Sequence, residues 1–165
     1  MADRRIEIRQ FRKADLSRVL QIENLCFPSE AWDGPLFLEY FARYPKLFLV
    51  ARFGRRIAGY AITCAGRERA ELASIAVDPA FRGHGVGTAI IEYTAAELRL
   101  RHVRHWCLMV RVTNESAIRF YRRFGFIRSR TLRGYYEDGG DAWRMSWKLL
   151  WVSSSTQVGG NEIQR

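Results

Sequence analysis

Cysteine, histidine and proline are scarce in this 165-residue sequence, with three, three and four copies. Each scarcity removes a class of function. Cys26, Cys64 and Cys107 are odd in number, lie among apolar neighbours and form no CxxC pair, so neither a disulfide framework nor a thiolate zinc site is expected. They read as reduced, buried small hydrophobes. His84, His102 and His105 are not spaced with carboxylates or cysteines as a ligand set, and no metal is expected. No apolar run approaches the ~20 residues that cross a bilayer. The opening "MADRRIEIRQF" has charge but lacks the apolar stretch of a secretory signal, so the expected compartment is the cytoplasm, with no membrane partner. No internal repeat is present.

Acidic residues are also in deficit, 17 against 27 basic ones, and the formal net charge is +10, almost all of it from arginine. Such a field attracts nucleic acid, ribosome, acidic protein or a phosphorylated cofactor. The arginines are scattered along the chain, so they serve equally well as general surface charge. The length suits one domain that buries roughly two-thirds of its unfolded surface. The segment "SSSTQVGGNEIQR" is polar and aperiodic, which predicts a disordered tail over 152–165 behind one domain over 1–151. A monomer or weak homodimer is expected.

What is present is a regular alternation of β and α signals. "RIEIRQF" alternates as a first strand. Asp15 can cap a helix carrying Leu16, Val19, Leu20 and Phe27, and Pro35 can open a second at its first position. "LFLVARF" and "IAGYAITCA" form a hairpin about "GRR". "ELASIAVDP" is a fourth strand, followed by a helix with Val86, Ile90, Ile91, Ala95 and Leu98 on one face. "HWCLMVRV" is a buried fifth strand, parallel to the fourth by the βαβ rule. Asn114 caps a helix that ends near Gly125, and "FIRSRTL" and "AWRMSWKLLW" close the chain as strands. The expected fold is mixed α/β: one mixed sheet of seven strands with helices on both faces.

Between the fourth strand and its helix lies "DPAFRGHGVGT", with Gly83, Gly85 and Gly87 behind Arg82. It fails as a P-loop, having no Lys-Ser or Lys-Thr, and as a G-x-G-x-x-G dinucleotide turn. What remains is a glycine turn at a helix N-terminus, read either as a plain turn or as an anion cradle of unpaired N–H groups.

These residues resemble a known family. "RGHGVG" resembles the R/Q-x-x-G-x-G/A loop of the GNAT acetyltransferases, with Arg82, Gly85 and Gly87 in the defining places. "NESAIRFYRRFGF" resembles the family's N-x-x-A-x-x-x-Y-x-x-x-G-F segment. The likeness runs from about residue 5 to 151 and is strongest to the bacterial ribosomal-protein-alanine N-acetyltransferase branch, through "CFPSEAW", "SIAVDPAFRGHGVG" and "RGYYEDGGDAWRM". It implies acetyl-CoA as cosubstrate. The pyrophosphate would lie on backbone N–H groups of Gly83, His84, Gly85, Val86, Gly87 and Thr88 beside Arg82. The pantetheine arm would pair with the backbone of Ile75, Ala76 and Val77, where the fourth and fifth strands splay apart. Asn114 matches a cofactor contact, and Tyr121 matches the tyrosine that protonates the departing thiolate. Read on their own, Asn114 is a helix cap and Tyr121 is core.

The likeness breaks at one place. The branch carries its catalytic glutamate in L-E-V-R on the fifth strand, where this chain has "LMVR" with Met109. Glu71, eleven residues before Arg82, matches the spacing of the base in the histone-acetyltransferase branch; residues 71, 73, 75 and 77 are expected on one strand face. Alone, it is a solvated strand-end carboxylate. Glu30 is the third candidate, as base or as a carboxylate that recognises a positive substrate. Tyr135 and Tyr136, in "RGYYEDGGDAW", match the loop over the acceptor, which otherwise is a hairpin turned by "DGG".

An α-amine of pKa about 8 is roughly a tenth neutral at pH 7, a lysine amine only about once in 2,500. The difference is about 3 kcal/mol of burden on a base. A chain without the expected glutamate suits an α-amine, so the expected acceptor is a protein or peptide N-terminus, ribosomal protein included. Lysine or a small-molecule amine is the alternative, and a CoA-binding protein without catalysis or a basic ribosome- or nucleic-acid-binding module is the reading from another class. Direct nucleic-acid binding is not expected, because the aromatics fall on apolar faces rather than beside the arginines.

Overall fold

The computed structural model describes residues 5–150; the predicted tail lies outside them. The strands are β1 (Ile6–Gln10), β2 (Phe48–Phe53), β3 (Arg56–Ala65), β4 (Arg69–Val77), β5 (His105–Arg111), β6 (Ile127–Leu132) and β7 (Ala142–Lys148). The helices are α1 (Leu16–Cys26), α2 (Gly34–Arg43), α3 (Val86–Leu100) and α4 (Glu115–Arg122), with 3-10 turns at Lys13–Asp15 and Pro79–Phe81. The seven strands form one sheet in the order β1-β2-β3-β4-β5-β7-β6. Among the described residues only β4 and β5 are parallel neighbours, with α3 as their crossover.

The sheet is covered on both faces. The stripe predicted for α3, Val86, Ile90, Ile91, Ala95 and Leu98, is buried with Leu72, Trp106, Leu108, Val110 and, from α4, Ile118 and Tyr121. On the other face Val19 and Ile22 of α1 and Phe37 of α2 pack on Phe48, Val50, Tyr60 and Ile62. Burying each such side chain contributes roughly 1.5–3 kcal/mol.

Two helix starts differ from the reading of the sequence. Asp33, not Pro35, begins α2: its carboxylate accepts from Leu36 N–H at 3.0 Å, which moves Pro35 to the second position. Asp15 stands at the start of α1 but caps nothing there. Its carboxylate turns back to Arg12 N–H (2.8 Å) and to Arg9 (2.7 and 2.9 Å), because a guanidinium is the stronger donor.

A third difference re-aims the site. Ile62 pairs with Ser74 and Thr63 with Leu72, so Ala73 is an extra residue in β4. The bulge resets the alternation: Leu72, Ile75 and Val77 belong to the α3 face, whereas Ala73 and Ala76 belong to the α1 face. Residues 71, 73, 75 and 77 therefore do not share one side. Glu71 lies on the α1 face, opposite the side taken by Ile75 and Val77.

Candidate active site

The glycine turn begins where β4 ends. Asp78 caps the 3-10 turn through Ala80 N–H (2.9 Å) and pairs with Arg18 of α1. Arg18 also reaches the Ile57 carbonyl at 3.1 Å, which ties the loop to α1 and β3. Gly83 and Gly85 have φ of +76° and +82°, the left-handed region that an L side chain strains to enter. Gly87 is glycine for packing: a Cβ there would stand 3.2 Å from Phe120 of α4. Gly85 precedes α3, and the first amide to close back on the turn is that of Ala89, to the Gly85 carbonyl at 2.9 Å. The amides of Val86, Gly87 and Thr88 thus form the unpaired N-terminal turn of a 15-residue helix. The Arg82 guanidinium folds back onto the Val77 carbonyl (3.3 Å) and Cys26 sulfur (3.6 Å), and His84 Nδ1 faces the Arg82 and Phe81 carbonyls at 3.0 and 3.3 Å, to which it donates.

Below the turn the two parallel strands part. Pairing of β4 with β5 runs from Arg69–His105 to Leu72–Leu108 and stops, while β4 continues to Val77 against β3 and β5 to Arg111 against β7. Asp78 N–H bonds Ala58 on β3. By the alternation of an antiparallel ladder, Ile75 and Val77 turn their backbone groups away from β3 into the gap, and Ala76 turns its own toward β3. Of the three residues expected to pair with a cofactor arm, the ladder leaves Ile75 and Val77 available and occupies Ala76. Cys26 also donates to the Val77 carbonyl, at 3.3 Å.

Tyr121 is 8% exposed on α4, its ring edge-on to Phe120 and Phe126. Burial pushes its hydroxyl well above the usual tyrosine range, with nearby Tyr136 adding to the shift, so it is a held proton at neutral pH. Asn114 caps α4 through Ala117 N–H at 3.2 Å; its oxygen is engaged and its amide nitrogen is the group left to point elsewhere.

On the α1 face, Glu71 sits at the apex of the gap. It pairs in register with Cys64 on β3 and Cys107 on β5, one residue before the strands separate. Met109 is the first β5 residue beyond the last pair and shares this face, since Leu108 and Val110 point into the α3 core. Burial raises the Tyr40 and Tyr135 hydroxyls, and the charge of Glu71 contributes to both. Glu71 is thus within electrostatic reach of both hydroxyls.

Glu30 does not stand free. Its carboxylate is paired with Arg111, at the end of β5, and Arg111 also holds Asp138 at 2.9 and 3.0 Å while its guanidinium lies 3.9 Å over the Tyr136 ring. One arginine thus clasps the α1–α2 loop to the β6–β7 loop. Tyr136 answers with a hydroxyl raised by burial, an effect that Arg111 opposes. Reading the sequence missed Arg111 and Asp138. The signal was the last residue of "LMVR", an arginine ending a buried strand. Also missed was Glu23, a buried carboxylate that accepts from Trp32 N–H (2.9 Å) and from the Tyr60 hydroxyl, itself 3.0 Å from Ser74 beside the bulge. It fixes the end of the α1–α2 loop to α1 and, through Tyr60, to β3 and Ser74 of β4.

Among the described residues no three His, Cys, Asp or Glu side chains are placed to hold a metal, and no helix is long and apolar enough to cross a membrane. Residues 16–126 match the Acetyltransferase (GNAT) family. The chain is 35% identical over 122 residues to the [Ribosomal protein bS18]-alanine N-acetyltransferase of Salmonella typhimurium, covering 74% of this chain and 81% of that one. It is 29% identical over 152 residues to the N-alpha-acetyltransferase of Sulfurisphaera tokodaii, covering 84% and 90%. The crystal structure of Ard1 from Thermoplasma volcanium superimposes with a TM-score of 0.84 at 29% identity, over 88% of this chain and 99% of that one. The match spans the glycine turn, the parted strands and the α4 tyrosine together, and the chain belongs to the GNAT family as an N-acetyltransferase.

Proposed function

We propose that the protein is an acetyl-CoA-dependent N-acetyltransferase of polypeptide α-amines, working by direct attack in a ternary complex. The observation that carries this reading is the end of β4–β5 pairing at Leu72 and Leu108, which opens a slot below the unpaired N–H turn of α3 and beside the Tyr121 helix. The fit to acetyl-CoA rests on that geometry. The amides at Gly83, His84, Gly85, Val86, Gly87 and Thr88, with Arg82, would hold the pyrophosphate. The backbone of Ile75 and Val77 would pair with the pantetheine arm, and the Asn114 amide would reach the arm from α4. Acetyl-CoA supplies the thioester; the chain supplies position and protons.

Tyr121, kept neutral by burial, gives its proton to the departing thiolate. Glu71 is at the apex on the acceptor side and takes the amine proton directly or through water, the task that a carboxylate at position 109 would otherwise perform. Glu30 acts through the clasp: paired with Arg111, it orients the loop that carries Tyr136 and is a substrate-binding rather than a proton-accepting group. Tyr135 and Tyr136 flank the acceptor. The named acceptor of the Salmonella relative, an alanine of a ribosomal protein, and the N-alpha activity of the Sulfurisphaera relative support an α-amine over lysine, as does the smaller burden on the base.

Free-thiol detection over peptides differing at their first two residues, with lysine peptides blocked at the N-terminus, tests this. Thiol release with N-terminal peptides alone is expected. Release only with lysine peptides would overturn the acceptor assignment. Thermal stabilisation by acetyl-CoA without release from any amine would instead support a CoA-binding protein, the outcome that Met109 in place of a carboxylate favours.

A further inference from the structure

The α1 face of the sheet is covered over β2, β3 and β4, but no residue of its core comes from β5, β6 or β7. On that open half lies a cavity of about 200 Å³ lined by Arg69, His105, Cys107, Ser129, Arg144 and Ser146. Two guanidiniums, an imidazole, two hydroxyls and a thiol converge there, and no carboxylate lines it. Glu71 is the acidic neighbour, across Cys107 on β4. Arg144 is the group in want of a partner. Among the described residues its Nη2 reaches only the Cys107 sulfur, at 3.6 Å, and its Nε is buried with no acceptor. A buried donor left unpaired costs about 1–3 kcal/mol, and a cationic one more, so the site presents donors to an oxyanion that none of the described residues provides.

We propose that this cavity binds one carboxylate of the acceptor polypeptide, an aspartate or glutamate side chain downstream of the amine. The inference rests on the peptide-acceptor reading above. Turned off the Cys107 sulfur, the Nε–Nη2 edge of Arg144 would grip a carboxylate by two hydrogen bonds. Cys107 lies two residues before Met109 on β5, roughly 6.6 Å along the strand. An extended peptide covers that distance in about two residues, so the acidic side chain belongs to the third or fourth residue of the acceptor. A nucleic acid fits less well: Trp143 and Trp147 face the α3 core, and no Phe, Tyr or Trp lines the cavity.

The test uses paired peptides, Glu against Gln at the third and fourth positions, in a sequence that the full-length protein acetylates. In the wild type the Glu peptide is expected to show a KM about tenfold lower, from one charge-assisted contact. In Arg144→Met the ratio of the two KM values falls to one; in Arg144→Lys part of the advantage returns. Melting temperature checks that both variants fold. Titration calorimetry of the same peptides with CoA present reads the preference without turnover, so an inactive protein that still prefers Glu through Arg144 would remove the proposed function and keep this site. Sodium succinate at millimolar concentration should raise KM for the Glu peptide alone, which separates a cavity open to free carboxylates from one filled only by the peptide. Equal KM and affinity for both peptides in the wild type, an advantage that survives Arg144→Met, or competition by an oligouridylate in place of succinate would overturn the proposal.

Discussion

In the proposed mechanism Tyr121 and Glu71 divide the proton work between two faces of the sheet. Tyr121 lies in the α3–α4 core, where burial holds its hydroxyl above the usual tyrosine value. A raised value means that the proton is retained as pH climbs, so turnover should not fall as pH passes about 10, where an ordinary tyrosine ionises. A pH–rate profile measures this, and a descending limb centred near 10 would remove the acid role. Tyr121→Phe should lower kcat by about a hundredfold with the acetyl-CoA affinity retained. Glu71→Gln separates base from bystander: kcat/KM for an α-amine peptide should drop at least tenfold at pH 7 and recover toward pH 9, as the amine loses its proton unaided. A deficit independent of pH would indicate a binding role instead. Met109 needs no replacement in this scheme, because Glu71 stands on the adjoining strand at the same end of the gap.

At the scale of elements, three devices place these residues: the bulge at Ala73, the glycine turn and the Arg111 clasp. The helices and strands are legible in the sequence because hydrophobic period and turn chemistry agree; the α3 stripe and the Asn114 cap are where their spacing puts them. The bulge was not legible, since "ELASIAV" alternates no differently with or without an extra residue, and the face of Glu71 depends on it. Nor was the clasp, which joins Glu30, Arg111 and Asp138 from three distant segments. Arg111→Met should raise the peptide KM severalfold while leaving that for acetyl-CoA unchanged; equal changes in both would mean that the clasp serves the cofactor side. Gly85→Glu should abolish thermal stabilisation by acetyl-CoA, through its positive φ and added charge. At the start of α1, the Arg9 guanidinium, despite the opposing effect of burial, holds the Asp15 carboxyl below the usual range. A lowered value contributes stability that is present above pH 4 and lost as pH falls through the folded-state value. Asp15→Asn should cost about 2 kcal/mol in urea unfolding at pH 7, and the gap to the wild type should close in acid.

For the whole molecule, the proposed function assigns two ligands to two sides of one gap in the open sheet. The α3 turn offers unpaired N–H groups at one end of β4, and the α1 face offers Glu71, the clasped loops and the basic cavity at Arg144. The net charge of +10 was legible from composition, but its use was not, because scattered arginines in the sequence become a grouped set only after β4, β5, β6 and β7 are laid side by side. The activity proposed for this arrangement is transfer of an acetyl group to a polypeptide α-amine. Mass spectrometry of a peptide pool incubated with the purified protein and acetyl-CoA measures it most directly. A 42 Da gain confined to free N-termini is the expected result (the mass of an added acetyl group, about 42 Da). Peptides left unmodified in the presence of acetyl-CoA that the protein demonstrably binds would contradict it.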